Sequence, residues 1–144
     1  MGTSIRLGRI WGIPLGVNYS WFIVLGLIVL LMATRYNDQF PHWAWPERWT
    51  VAILTALLFF GSVLAHELAH SVVARWWGIP VKGITLFIFG GVSQIAREAS
   101  RPRVEFAIAI VGPLSSLALG GLFLGIALLI RSHSQILYAV SAVL

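Results

Sequence analysis

Apolar residues in this 144-residue chain gather into long runs broken by short polar stretches, and two segments follow a shorter period. Trp21 to Ala33 is continuously apolar. With Tyr19 and Ser20 it predicts a first span over about residues 19–33, short for a bilayer. Residues 34–49 read as a polar loop whose Tyr36, Trp43, Trp45 and Trp49 form an aromatic belt at one membrane face. A second span is predicted over about 50–77; 28 positions at 1.5 Å each reach about 42 Å, more than the apolar core needs. Arg75, Trp76 and Trp77 mark its exit, and Gly78-Ile79-Pro80 stops the helix.

A third span follows over about 104–130, with Pro102 suited to a helix start and Glu105 to its first turn. Gly112, Ser116 and Gly120 recur at intervals of four, which favours close helix packing, and Pro113 predicts a kink. Arg131 to Ser134 reads as a loop. Residues 135–144 begin a fourth apolar segment too short to span, so the chain is expected to be cut inside an element.

The two exceptions have period two. In residues 1–18, Ile5, Leu7, Ile10, Ile13, Leu15 and Val17 roughly alternate with polar or small residues, which predicts surface strands. Residues 81–95 read as two strands about a Gly90-Gly91 turn. Such backbone is tolerated at membrane depth only where protein or a wet cavity covers it. The fold class is therefore an α-helical membrane protein: one membrane domain with three transmembrane helices, the start of a fourth, and a small β-hairpin or sheet element at the cytoplasmic side.

Composition agrees. The chain is 58% hydrophobic and only 10% charged, against about 25% charged in soluble domains. The net charge of +5 could suggest a nucleic-acid partner. The basic residues are spread through short loops, however, and the positive-inside rule accounts for them without nucleic acid. No small-residue cleavage site follows the first apolar run, as a secretory signal would require. With no cysteine, any metal must be held by His, Asp or Glu.

Candidate chemistry sits in the second span, at His66-Glu67-Leu68-Ala69-His70. Four residues apart on a helix, His66 and His70 share a face and can chelate one metal, zinc above all. Glu67 directly follows the first ligand, where it can take a proton from water activated by the metal. Three ionisable groups inside an apolar run are expensive and mark function rather than packing.

In these residues the chain resembles the site-2 protease family of intramembrane zinc metalloproteases. The likeness extends to Phe89-Gly90-Gly91-Val92, to Gly112-Pro113-Leu114-Ser115, and to the opening Gly8-Arg9-Ile10-Trp11-Gly12-Ile13-Pro14-Leu15. It implies Zn2+ held by His66 and His70, with Glu67 as catalytic base. The substrate would be a membrane-spanning regulatory protein, bound as an added strand along the hairpin at Phe89, Gly90, Gly91 and Val92. The family's third ligand is an Asp in a Leu-Asp-Gly motif. This chain has no such motif, and its only Asp is Asp38, in the wrong loop. The third ligand is therefore expected beyond Leu144, where tandem CBS domains can also follow, and residues 1–144 alone are expected to have little activity.

Two rival readings use the same residues. One is a metal-binding or metal-transporting membrane protein with His66 and His70 as transit ligands and no need for a general base. The other is a non-catalytic half-core that packs in the lipid or forms a homo-oligomer.

Loop charges set the expected orientation. Arg6, Arg9, Arg75, Lys82, Arg97, Arg101 and Arg103 fall on one side, against Arg35, Arg48 and Arg131 on the other. Seven against three places the N-terminus and the motif-bearing end of the second span in the cytoplasm of a multi-pass cell-membrane protein. A reporter fused after Lys82 should therefore read cytoplasmic and one after Asp38 external; opposite readings at both sites would overturn this orientation.

Overall fold

The computed structural model describes residues 4–130 together with Val140 and Ala142. The expected loop at 131–134 and most of the expected fourth segment at 135–144 lie outside the described residues. The elements run β1 (Ser4–Ile10), β2 (Ile13–Asn18), α1 (Tyr19–Gln39), α2 (Trp45–Trp76), β3 (Val81–Phe87), β4 (Gly90–Ile95) and α3 (Pro102–Ile130). Among the described residues, α1, α2 and α3 are each long and apolar enough to cross a membrane. The chain divides into two compact units, one of Met1–Ile23 and Ser62–Leu117, the other of Val24–Gly61 and Ala118–Leu144.

In the first unit the strands form one four-stranded sheet in the order β1-β2-β3-β4. The sequence suggests two separate strand pairs; the structure joins them. β2 and β3 pair in parallel, Leu15 to Ile84, Gly16 to Thr85 and Val17 to Leu86. A parallel pair needs a crossover, and here the connection carries both α1 and α2. The join is apolar: Ile13, Val17, Ile84 and Leu86 are all buried. Neither hairpin alone could cover that face, which is why period-two patterning of each segment does not disclose the pairing. The sheet ends in β1 on one side and β4 on the other.

The second turn also differs from expectation. β3 and β4 are joined through Ile88 and Phe89, with Phe87 paired to Gly90, so Gly90 and Gly91 belong to the strand. At Gly91 the need is for close approach to α2 rather than for turning. The Ile88 amide donates to Ser20 Oγ at 3.0 Å, fixing this loop to the first turn of α1.

α1 starts at an Asn18 cap whose Oδ1 accepts from the Ser20 amide at 3.0 Å. It continues past the expected end at residue 33, because Tyr36 is not an interfacial residue but the centre of the second unit's core. Tyr36 is fully buried with Ala33, Trp43, Val51 and Ala52, and Val140 packs against this cluster. The Tyr36 hydroxyl bonds Thr55 Oγ1 at 2.9 Å. Phe40 and Trp43 stack with centroids 4.4 Å apart. Of the four aromatics assigned to a belt, Trp45 keeps the exposure that role implies. Tyr36 and Trp43 are core, and Trp49 packs against it partly buried.

α2 accordingly begins at Trp45 rather than near residue 50. The Ala44 amide donates to Glu47 Oε2 at 3.1 Å, the glutamate half of a capping box, and the Arg48 amide donates to the Ala44 carbonyl as the first intrahelical bond. Its far end is closed by a Schellman motif. Gly78 takes φ +75, its amide bonds Arg75 O, and the Ile79 amide bonds Ala74 O, each at 3.0 Å. Ala74 and Ile79 are then buried together with Val104 of α3. The helix terminus is thereby fixed against the start of the next span, which holds the His-Glu segment in register with α3.

Candidate metal centre

All the chemistry-bearing residues of the predicted site lie in the first unit. His66 and His70 fall one turn apart on α2, both half-buried, with Nε2 atoms 3.0 Å apart. The rings are steeply inclined, at 76°. Two imidazole nitrogens on one tetrahedral zinc stand roughly 3.3 Å apart, so the pair is already close to ligand spacing.

What holds the rings this way is α3. Ile108, Gly112 and Ser116 are spaced four apart, so they form one stripe, as His66 and His70 do on α2. His70 Nδ1 lies 2.6 Å from the Ile108 carbonyl oxygen. A carbonyl only accepts, so Nδ1 carries the proton and the Nε2 lone pair is left for a cation. His66 Nδ1 lies 2.8 Å from Ser116 Oγ. A hydroxyl both donates and accepts, so it can serve His66 with its proton on either nitrogen. Without a metal, His66 Nε2 can donate to His70 Nε2. With one, both lone pairs can point at it.

Between these anchors lies Gly112. A Cβ there would stand 2.7 Å from His66 Nε2 and closer still to His70 Nε2 and Cε1. The convergent nitrogens thus occupy the space a side chain would fill. The sequence pattern places Gly112 and Ser116 in a helix-packing stripe. The structure gives them more specific contacts, since Gly112 makes room for the two imidazoles and Ser116 engages the ring of His66. Their phase with Ile108 was the available signal, and it is invisible until α3 is set against α2.

Glu67 faces the sheet. Ser93 Oγ of β4 lies 2.7 Å from Glu67 Oε2 and 2.9 Å from the Glu67 carbonyl oxygen. The single hydroxyl proton serves one of them at a time. Gly91 comes so near that a Cβ would stand 2.8 Å from Glu67 Cγ, which is why glycine continues in the strand here. Sequence reasoning did not single out Ser93; its alternation within β4 was the only hint. Phe89 projects at the β3–β4 turn, 88% exposed, and Val92 is exposed. Glu67, His70, Gly91, Val92 and Ser93 line one side of a cleft of about 720 Å3, with Glu98, Glu105 and Ile108 among the residues around it.

The donor set fits half of a zinc site. Two neutral imidazoles, each anchored through its other nitrogen, are the usual arrangement of zinc-binding histidines. Among the described residues no third His, Cys, Asp or Glu joins them in a metal-holding group.

The comparisons with known proteins point the same way. The pattern of Peptidase family M50 matches residues 54–143. A candidate zinc metalloprotease of Synechocystis sp. is 47% identical over 126 residues, covering 88% of this chain and 32% of the relative. A zinc metalloprotease of Methanocaldococcus jannaschii is 34% identical over 120 residues, covering 83% of this chain and 31% of the relative. The chain thus spans about a third of the length of the curated relatives it matches. Among solved structures, a site-2 protease from Methanocaldococcus jannaschii superposes with a TM-score of 0.63 at 28% identity, covering 97% of this chain and 60% of that one.

The geometry separates two glycines that sequence spacing treats alike. Gly112→Ala should destabilise the protein by about 1–3 kcal/mol, since the new methyl overlaps both imidazoles. At Gly120 nothing among the described residues lies within 4 Å of the added carbon. Gly120→Ala should therefore be neutral or stabilising, by up to about 1 kcal/mol. Thermal unfolding in detergent compares the two, and equal effects would show that the stripe is generic helix packing.

Proposed function

This chain belongs to peptidase family M50, and on that premise we propose that it carries the zinc-binding helix and substrate edge of an intramembrane zinc metalloprotease. The protease cleaves a membrane-spanning segment of a regulatory protein. The observation that carries the reading is the pair of Nε2 atoms 3.0 Å apart, their Nδ1 atoms engaged by α3. Such a pair is costly to keep in a membrane helix and serves best as two ligands to one metal.

In this reading His66 and His70 hold zinc, and a carboxylate from the part of the family's fold that these residues do not span completes the protein ligands. Zinc, when bound, supplies Lewis acidity toward water and a peptide carbonyl. The Ile108 carbonyl fixes the tautomer of His70, and Ser116 steadies the ring of His66. Glu67 takes the proton from the attacking water and returns it to the leaving amine. Ser93 holds Glu67 beside the strand that presents substrate, so base and scissile peptide are positioned by one element.

The substrate enters along β4. Among the described residues this strand pairs only with β3, so its outer edge can accept a further strand. An edge strand suits this substrate because a helical peptide hides its carbonyls in hydrogen bonds and must be extended before attack. Phe89, Gly90, Gly91 and Val92 are proposed as the contact stretch, with Glu67 and His70 in the same cleft. We place this end of the protein on the cytoplasmic side, on the seven-to-three distribution of basic residues.

The test uses the full-length protein in detergent with a single-span substrate. Glu67→Gln should lower cleavage by about 10²–10⁴-fold, the usual worth of a general base, while zinc content is retained. A His66→Ala, His70→Ala double variant should lose the zinc as well as the activity. Undiminished cleavage with Glu67→Gln would refute the role of Glu67, whereas no cleavage by the native protein together with metal transport that survives Glu67→Gln would favour a metal-transit site.

A further inference from the structure

The tip of the β1–β2 hairpin contradicts ordinary turn chemistry. Ile10 pairs with Ile13, leaving Trp11 and Gly12 as a two-residue loop with φ of +50 and +77. A turn with two positive φ values calls for Asn-Gly or Gly-Gly. A bulky residue at positive φ is an outlier and persists only where something makes use of it. Trp11 does not repay its conformation by packing, because it is 73% exposed.

Its surroundings say what the indole is for. Arg75, in the last turn of α2, donates from its guanidinium to the Trp11 carbonyl and so holds the loop in place. Among the described residues no carboxylate pairs with Arg75, whose side chain is exposed and whose hydrogen bond to the Trp11 carbonyl uses one N–H of the guanidinium. Trp11, Val72, Arg75 and Trp76 line a shallow recess of about 520 Å3, and Trp76 is 80% exposed. The depth is set by α2. A 32-residue helix is about 48 Å long, against about 30 Å of hydrocarbon. Its last turn therefore stands at headgroup level, where indoles and guanidinium groups are most stable.

We propose that this recess binds the headgroup of an anionic phospholipid. Arg75 offers its free fork to the phosphate, the Trp11 and Trp76 indoles flank the glycerol region, and Val72 meets the upper acyl chain. Arg6 and Arg9 on the exposed β1 strand add positive charge on the same hairpin. The occupant is lipid rather than an acidic segment of a protein, because the walls combine a cation with indoles and an aliphatic side chain at the depth where a lipid presents phosphate above hydrocarbon. The site lies outside the proposed proteolytic chemistry and does not depend on it.

Spin-labelled phosphatidylglycerol and phosphatidylcholine, compared by electron paramagnetic resonance with the chain reconstituted in bilayers, read the site directly. The native chain should immobilise phosphatidylglycerol in preference to phosphatidylcholine. Arg75→Gln should reduce that preference about fivefold, the worth of one basic side chain at an anionic surface. Trp11→Gly suits the positive φ, so folding is not in question; it should also reduce the preference. Lys82→Gln, which removes an exposed cation from β3 outside the recess, should leave it unchanged. Equal losses from Arg75→Gln and Lys82→Gln would mean diffuse surface charge and overturn the proposal. So would a native chain that does not distinguish the two lipids, or one that retains its preference in both recess variants.

Discussion

The packing of two imidazoles against a glycine is the constraint on which the rest depends. His66 and His70 can converge only because Gly112 has no side chain, and they stay converged because Ile108 and Ser116 engage their outer nitrogens. Four-residue spacing on α2 thus meets four-residue spacing on α3, and a shift of either helix by one residue would rotate the stripes apart. The Schellman closure at Gly78 and the Ala74–Ile79–Val104 contact make sense in this light, since they fix where α3 begins relative to the end of α2. Glycine at position 91 serves the same end on the other side, letting β4 come close enough for Ser93 to reach Glu67.

A polar sheet against a membrane helix is otherwise hard to justify. Unpaired backbone groups are expensive in hydrocarbon. Here the parallel join of β2 and β3 gives each hairpin an apolar partner and leaves β4 as an edge beside the cleft that Glu67 and His70 line. In the proposed function an extended substrate satisfies that edge while it is held near Glu67. That reading gives each feature a purpose: two imidazoles anchored through their outer nitrogens, a carboxylate tied to β4, and an unpaired edge for an unwound peptide.

Much of this could be read in the sequence, for identifiable reasons. Long apolar runs report spans directly, and His-Glu-x-x-His inside one of them is too costly to be accidental. Element ends were less legible. Tyr36 and Trp43 are chemically suited to an interface, yet they form a core, because the hydroxyl of Tyr36 finds Thr55 on the facing helix. Only tertiary structure distinguishes those cases. The Gly90-Gly91 pair looked like a turn, and Gly91 proved to be a clearance for Glu67. Ser93 and Ser116 carry little signal of their contacts: the spacing of Ser116 suggests only helix packing and the place of Ser93 only a strand, since a serine that engages a histidine or a glutamate looks like any serine until its neighbour is known.

The central claim is that His66 and His70 are two preset ligands of one zinc ion. Zinc-edge X-ray absorption of the metal-loaded 144-residue chain in detergent tests it most directly. Two preset imidazoles predict nitrogen scatterers at about 2.0–2.1 Å with the outer-shell pattern of imidazole rings, lost in a His66→Ala, His70→Ala variant. Zinc surrounded by oxygen alone, with no imidazole signature and no change in that variant, would contradict it.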